Sequence, residues 1–186
     1  MLNDLRLRLA IDLGTSNTVV GVHGKGIIVN EPTLIERKIK KLGKPGEIIA
    51  YGTRAKQMLG KEPRQMEVVQ LLSQGAIADF DATVEYFKHI LNLVNELPSR
   101  IPRFLKPEAV IGVPTGITEV EKRAVSSVAM KAGIGRVYLV EEPLAVAVGS
   151  GLIVDQPAGN LIIDLGGGVT ELAVVSLGGI VLNRCL

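Results

Sequence analysis

The chain has 186 residues, 47% of them apolar and only 3% aromatic, so it can bury a core built from Ile, Val, Leu and Ala. Its formal charge of +2, without a long Lys/Arg block, speaks against nucleic acid as a partner, and no run of about 18 apolar residues is present to span a membrane. The single Cys185 excludes an internal disulfide, and Asp4, Arg6, Arg8 and Asp12 interrupt any signal-peptide core, so a cytoplasmic, soluble-type chain is expected.

In chain order, residues 6–13 alternate and then run apolar as a first strand, and 18–22 return as the second strand of a hairpin through Gly14. Gly24-Lys25-Gly26 turns the chain into a third strand at 27–30, which Glu31-Pro32-Thr33 breaks. Residues 34–40 and 48–51 form a peripheral hairpin, followed by a short helix at 53–59 that Gly60 and Pro63 stop. The lysines 38, 40, 41 and 44 read as a solvated face. A longer helix capped by Asp81 runs to about Glu96, with Val84, Phe87, Ile90, Leu91 and Val94 on one face. Three prolines make 98–107 a loop. A buried strand at 109–113 then leads to a helix opened by the capping box Thr118-Glu119-Val120-Glu121 and ended near Gly133. A strand at 137–140 precedes a helix entered through Glu141-Glu142-Pro143, with proline at a permitted position. Strands at 160–165, 171–175 and from 180 onward complete an α/β fold on a mixed sheet.

One design occurs twice. Leu161-Ile162-Ile163-Asp164-Leu165-Gly166-Gly167-Gly168 is an apolar strand ending in aspartate and a glycine turn, and Leu9-Ala10-Ile11-Asp12-Leu13-Gly14-Thr15-Ser16-Asn17 precedes it in the same register. Glycine lets backbone N–H groups come close to an anion, because no Cβ intervenes. A carboxylate beside phosphate is repelled unless a cation such as Mg²⁺ or its water stands between them. Two matched turns therefore suggest two hairpins that grip a polyphosphate from either side.

Asp12-Leu13-Gly14-Thr15-Ser16-Asn17-Thr18, Ile111-Gly112-Val113-Pro114-Thr115-Gly116-Ile117-Thr118, Glu141-Glu142-Pro143 and Asp164-Leu165-Gly166-Gly167-Gly168-Val169-Thr170-Glu171 together resemble the actin/Hsp70/sugar-kinase superfamily. Within it, Glu31-Pro32-Thr33, Gly75-Ala76-Ile77-Ala78-Asp79 and Ser176-Leu177-Gly178-Gly179-Ile180-Val181 are similar to the bacterial actin family MreB/Mbl. The resemblance implies an actin-like (ribonuclease H-like) ATPase fold and an ATP-dependent filament at the inner face of the cytoplasmic membrane. Its partners would be further copies of itself, the membrane surface and the cell-wall elongation machinery. By position, Asp12 and Asp164 would hold the Mg²⁺ hydration shell, and Gly14, Thr15, Ser16, Asn17, Gly166, Gly167 and Gly168 would bind the ATP phosphates. Glu142 would position or deprotonate the attacking water. On the residues alone, a glutamate before proline serves a helix N-terminus equally well, and Thr170 and Glu171 read as strand-start residues.

The same resemblance implies residues 1–30 and 72–186 as a phosphate-binding core subdomain and 31–71 as a small inserted one. The family's second half, about as many residues again, is absent here, so the chain looks C-terminally truncated at Leu186. Without it, this stretch alone is expected neither to hydrolyse ATP nor to form regular filaments. Val169 departs from the family pattern, standing where threonine is usual. Ile101, Phe104 and Leu105, interleaved with Arg100, Arg103 and Lys106, read as an apolar loop able to enter a membrane surface while the cations meet anionic lipid, the alternative being that Phe104 packs back onto the core. A sugar-kinase or polyphosphatase activity and a non-catalytic interaction module are the rival readings.

Overall fold

Strand β1 (Arg8–Leu13) buries every second residue, with Leu9, Ile11 and Leu13 inward and Asp12 on the opposite face. The computed structural model that shows this describes residues 6–40, 44–96 and 105–186. β2 (Asn17–Val22) and β3 (Gly26–Pro32) follow antiparallel. β3 runs on through Glu31 and Pro32, where the sequence suggested a break. It is the edge of its sheet, so a proline without an N–H is tolerated there.

Next come β4 (Leu34–Ile39), β5 (Pro45–Tyr51), α1 (Gly52–Met58) and β6 (Met66–Gln70). Among the described residues, β5, β4 and β6 pair only with one another in a small antiparallel sheet. After the short β7 (Leu72–Ser73) and β8 (Ala76–Ile77), helix α2 (Phe80–Asn95) leads to β9 (Glu108–Val113), α3 (Glu119–Ala132) and β10 (Arg136–Glu141). β9 lies parallel to β1 and β10 parallel to β9, giving the mixed sheet order β10-β9-β1-β2-β3. Phe87, Ile90 and Val94 of α2 and Val125, Val128 and Ala129 of α3 cover its apolar face in one continuous core.

Helix α4 (Glu142–Gly149) crosses to a third layer of β11 (Asn160–Leu165), β12 (Thr170–Ser176) and β13 (Gly179–Cys185). These strands form a sheet of their own rather than extending the first, with Ala147, Ile162 and Val175 as a second, smaller core. Leu161, Ile163 and Leu165 on the other face of β11 are exposed. Among the described residues, no helix is long and apolar enough to cross a membrane.

The α2 cap differs from the sequence reading. Asp79, not Asp81, accepts from the Ala82 amide at 3.1 Å, and its second oxygen receives the Arg37 guanidinium. Arg37 also reaches Glu67 at 2.7 Å, so the cap is tied to β4 and β6. Asp79→Ala should therefore cost about 1–2 kcal/mol in urea unfolding, while Asp81→Ala, which only meets the helix dipole, should cost about 0.5 kcal/mol. Equal costs would refute this assignment. At α3 the capping box forms as read: Thr118 Oγ1 accepts from the Glu121 amide at 3.3 Å, and Glu121 accepts from the Thr118 amide at 2.7 Å. Tyr51 at the end of β5 stacks on His89 of α2, ring centroids 4.6 Å apart, where the small sheet rests on the larger body.

Candidate functional site

The two aspartates reach one cleft because of strand alternation. Asp12 sits out of phase with the buried residues of β1, and Asp164 is in phase with Ile162, on the α4 side of β11. The turns after them are built alike. A Cβ on Gly14 would stand 2.7 Å from the Asn17 carbonyl oxygen, and one on Gly166 would stand 2.7 Å from that of Val169. The turns also face each other closely. A Cβ on Gly167 would stand 1.8 Å from Ser16 Oγ, and one on Gly168 would stand 2.8 Å from Thr15 Oγ1. Only glycine permits this approach.

Between them lies a cleft of about 220 Å³, lined by Asp12 through Asn17, Asp164 through Val169, and Gly75, Pro114, Glu142 and Glu171. Every sequence-derived phosphate, metal and catalytic candidate is thus brought to one place. Ile101 and Phe104 of the apolar loop lie outside the described residues, and Leu105 is half-buried. Sites for whole organic ligands usually span about 300–1,000 Å³, so this cleft matches a polyphosphate better than an entire nucleotide. Val169 presents a methyl group close to Gly75.

The electrostatics are one-sided. Four carboxylates, Asp12, Glu142, Asp164 and Glu171, line the cleft, and its described lining holds no Lys or Arg. Burial, and then the Asp164 charge, push the Asp12 carboxyl above its usual range. Glu142 is pushed up to about 8, first by burial, then by the charges of Glu171 and Asp12, a hydrogen bond with Glu171, and Asp164. Gly112 makes its approach possible, since a Cβ there would stand 3.3 Å from Glu142 Cγ. Like charges gathered around open space fit a divalent cation. Among the described residues, no cluster of three or more His, Cys, Asp or Glu is placed to ligate a metal directly.

Glu171 is the residue that the motifs undervalued. It is 2% exposed, and its Oε1 accepts from the Thr115 amide at 2.8 Å and the Thr115 hydroxyl at 2.7 Å. Its Oε2 is buried without another partner, beside the Glu142 carboxyl. The available signal was phase, because Glu171 shares the buried face of β12 with Ala173 and Val175.

Comparison with known proteins gives a consistent picture. The profile of the family described as MreB/Mbl protein matches residues 6–186. The chain is 41% identical over 173 residues to the cell shape-determining protein MreB of Escherichia coli (strain K12), covering 93% of this chain and 49% of that protein. It is 40% identical over 178 residues to the cell shape-determining protein Mbl of Bacillus subtilis (strain 168), covering 96% of this chain and 51% of the other. The chain thus spans about half the length of the curated relatives it matches. Among solved structures, MreB5 of Spiroplasma citri bound to ADP superposes with a TM-score of 0.85 at 35% identity, over 97% of this chain and 52% of that one. The same protein bound to AMPPNP matches equally. The MamK double helical filament, at 21% identity and a TM-score of 0.74 over 97% of this chain and 54% of that one, shares the fold.

Proposed function

Because the chain belongs to the MreB/Mbl family, we propose that it is the phosphate-binding half of a cell shape-determining, actin-like cytoskeletal protein that binds and hydrolyses ATP with Mg²⁺ as it assembles into filaments. The observation that carries this reading is the pair of matched turns closing on a cleft of four carboxylates. Nucleotide in the Spiroplasma citri relative supports ATP as the ligand. In our division, residues 1–30 and 72 onward make the phosphate-binding core, 31–71 the inserted subdomain, and the strands from 160 onward a layer across the cleft.

The backbone N–H groups of both turns hold the phosphates, and Asp12 and Asp164 hold the hydrated cation. Mg²⁺, when bound, supplies the positive charge that offsets these two carboxylates and the phosphate oxygens. Glu142 orients the attacking water and, in its ionised form, takes its proton, and Glu171, anchored on Thr115, fixes the Glu142 carboxyl. In a chain completed with the family's second half, Asp164→Ala should abolish Mg²⁺-dependent ATP hydrolysis, whereas Glu142→Ala should leave binding intact and slow turnover by roughly 10²–10⁴-fold. Unchanged hydrolysis in both variants would sink these roles.

The reading extends to place. A filament at the inner membrane face, serving the cell-wall elongation machinery, is supported by the alternation of Ile101, Phe104 and Leu105 with Arg100, Arg103 and Lys106. Phe104→Ser with Leu105→Ser should lose co-flotation with anionic vesicles, and retention equal to the parent would remove this contact.

A further inference from the structure

Three successive carbonyls of the first turn are held by residues at the root of the inserted segment. The Thr33 hydroxyl donates to the Gly14 carbonyl at 2.7 Å, Gln70 Nε2 donates to that of Thr15 at 3.2 Å, and the Thr33 amide donates to that of Ser16 at 3.0 Å. Thr33 is fully buried. Its hydroxyl proton is committed to Gly14, so the buried Thr18 hydroxyl, 3.0 Å away, donates to it in turn. Leu34, next to Thr33, is the register partner of Gln70, so both anchors sit at the end of the β4–β6 pairing.

In a planar trans peptide, the carbonyl of one residue and the N–H of the next point in opposite directions. Drawing the carbonyls of residues 14, 15 and 16 toward the inserted segment therefore turns the N–H groups of Thr15, Ser16 and Asn17 away from it. The Ser16 nitrogen accordingly lies toward the opposite turn, 3.5 Å from where a Cβ on Gly167 would stand. Without these anchors, each peptide could rotate and the donors would have to be ordered again each time an anion arrived.

We propose that Thr33 and Gln70 are positioning residues for phosphate: by fixing three carbonyls they pre-aim the amide donors of the first turn, and they make phosphate occupancy and the placement of the β4–β5–β6 sheet a single equilibrium. This rests on the phosphate reading of the cleft. It adds that the small sheet is part of the binding site, although it does not line the cleft. Coupling of this kind is reciprocal: a bound anion steadies β4 and β6, and loosening their root weakens the anion.

The test uses Mg²⁺ with inorganic tripolyphosphate, which needs no adenine pocket, and the chain itself. Calorimetry gives affinity, and amide hydrogen exchange reports on the turn and on the small sheet. Thr33→Val keeps the shape and deletes the hydroxyl, Thr33→Ser restores it, and Gln70→Leu alters an exposed position where folding is not at stake. Thr33→Val and Gln70→Leu should each weaken binding about tenfold, the effect of one neutral hydrogen bond. Exchange of the residue-33 amide, whose N–H is bonded to the Ser16 carbonyl, should quicken in both, and Thr33→Ser should return both readouts to parental values. Tripolyphosphate should slow exchange across β4 and β6 in the parent chain. If the parent binds while Thr33→Val and Gln70→Leu bind and exchange as it does, the positioning role is overturned. If the parent binds nothing yet exchange quickens in both variants, the anchoring stands and the phosphate reading falls.

Discussion

Glu142→Gln should flatten the fall in stability that the metal-free chain shows as pH rises from about 4.5 toward 8. The Glu142 carboxyl moves from an ordinary 4.5 to about 8 on folding, so between those values the folded state holds a proton that the unfolded state has released. Its stabilisation is complete below the lower value and is lost as pH climbs through the upper one. The slope is at most about 1.4 kcal/mol per pH unit for one proton. Asp12, also raised, adds to the same trend at the acid end. His89 works against it: burial lowers its value from 6.5, so its contribution to stability rises with pH up to that point. The informative quantity is therefore the difference between parent and variant in urea melts with chelator present. Glutamine keeps a donor for Glu171 and never ionises, so the variant should be the more stable at pH 8. A variant with the parent's full pH slope would show that Glu142 does not carry this proton.

The second large effect concerns the turns themselves. Gly14→Ala and Gly166→Ala each place a methyl group 2.7 Å from a backbone carbonyl oxygen that cannot move without opening its hairpin. Each should cost roughly 1–3 kcal/mol, the range for forced overpacking. Gly149 is the contrast. It closes α4, and a Cβ there meets nothing within 4 Å, so Gly149→Ala should be neutral or stabilise by about 0.5 kcal/mol through the unfolded chain. Denaturant midpoints for the three variants check this. Gly166→Ala as stable as Gly149→Ala would mean that the turn is looser than drawn.

Local chemistry made much of this protein legible in advance. The Asp-Gly turns, the Thr118 capping box and the proline at the start of α4 each depend on residues within a few positions, and each was found where the sequence placed it. What escaped reading depends on distant partners. Met66–Gln70 shows no clean alternation, being half-buried along most of its length, and it becomes a strand by pairing with β4. Asp79 and Asp81 are equally good caps by composition, and Arg37, more than forty residues away, meets only the first. Glu171 looked like an ordinary strand residue until Thr115, 56 positions earlier, enclosed its carboxylate. The separation of β11–β13 from the first sheet is likewise a matter of strand order, about which hydrophobic period says nothing.

The stack of Tyr51 on His89 has a spectroscopic consequence. The chain holds three tyrosines and no tryptophan, so its ultraviolet emission is tyrosine emission undiluted. Tyr51 lies against an imidazole with the rings nearly coplanar, at 6°. Tyr86 is buried nearby, with its hydroxyl donating to the Pro32 carbonyl at 3.0 Å. Both fluorophores thus stand where the small sheet meets α2, while Tyr138 is exposed on β10 and supplies the background. Tyr138→Phe would leave an unlabelled protein whose light comes from that junction alone. Protonation of His89 would dim Tyr51, and any shift of the small sheet would change the overlap of the two rings. The molecule thereby carries its own optical gauge of the joint between its small sheet and helix α2.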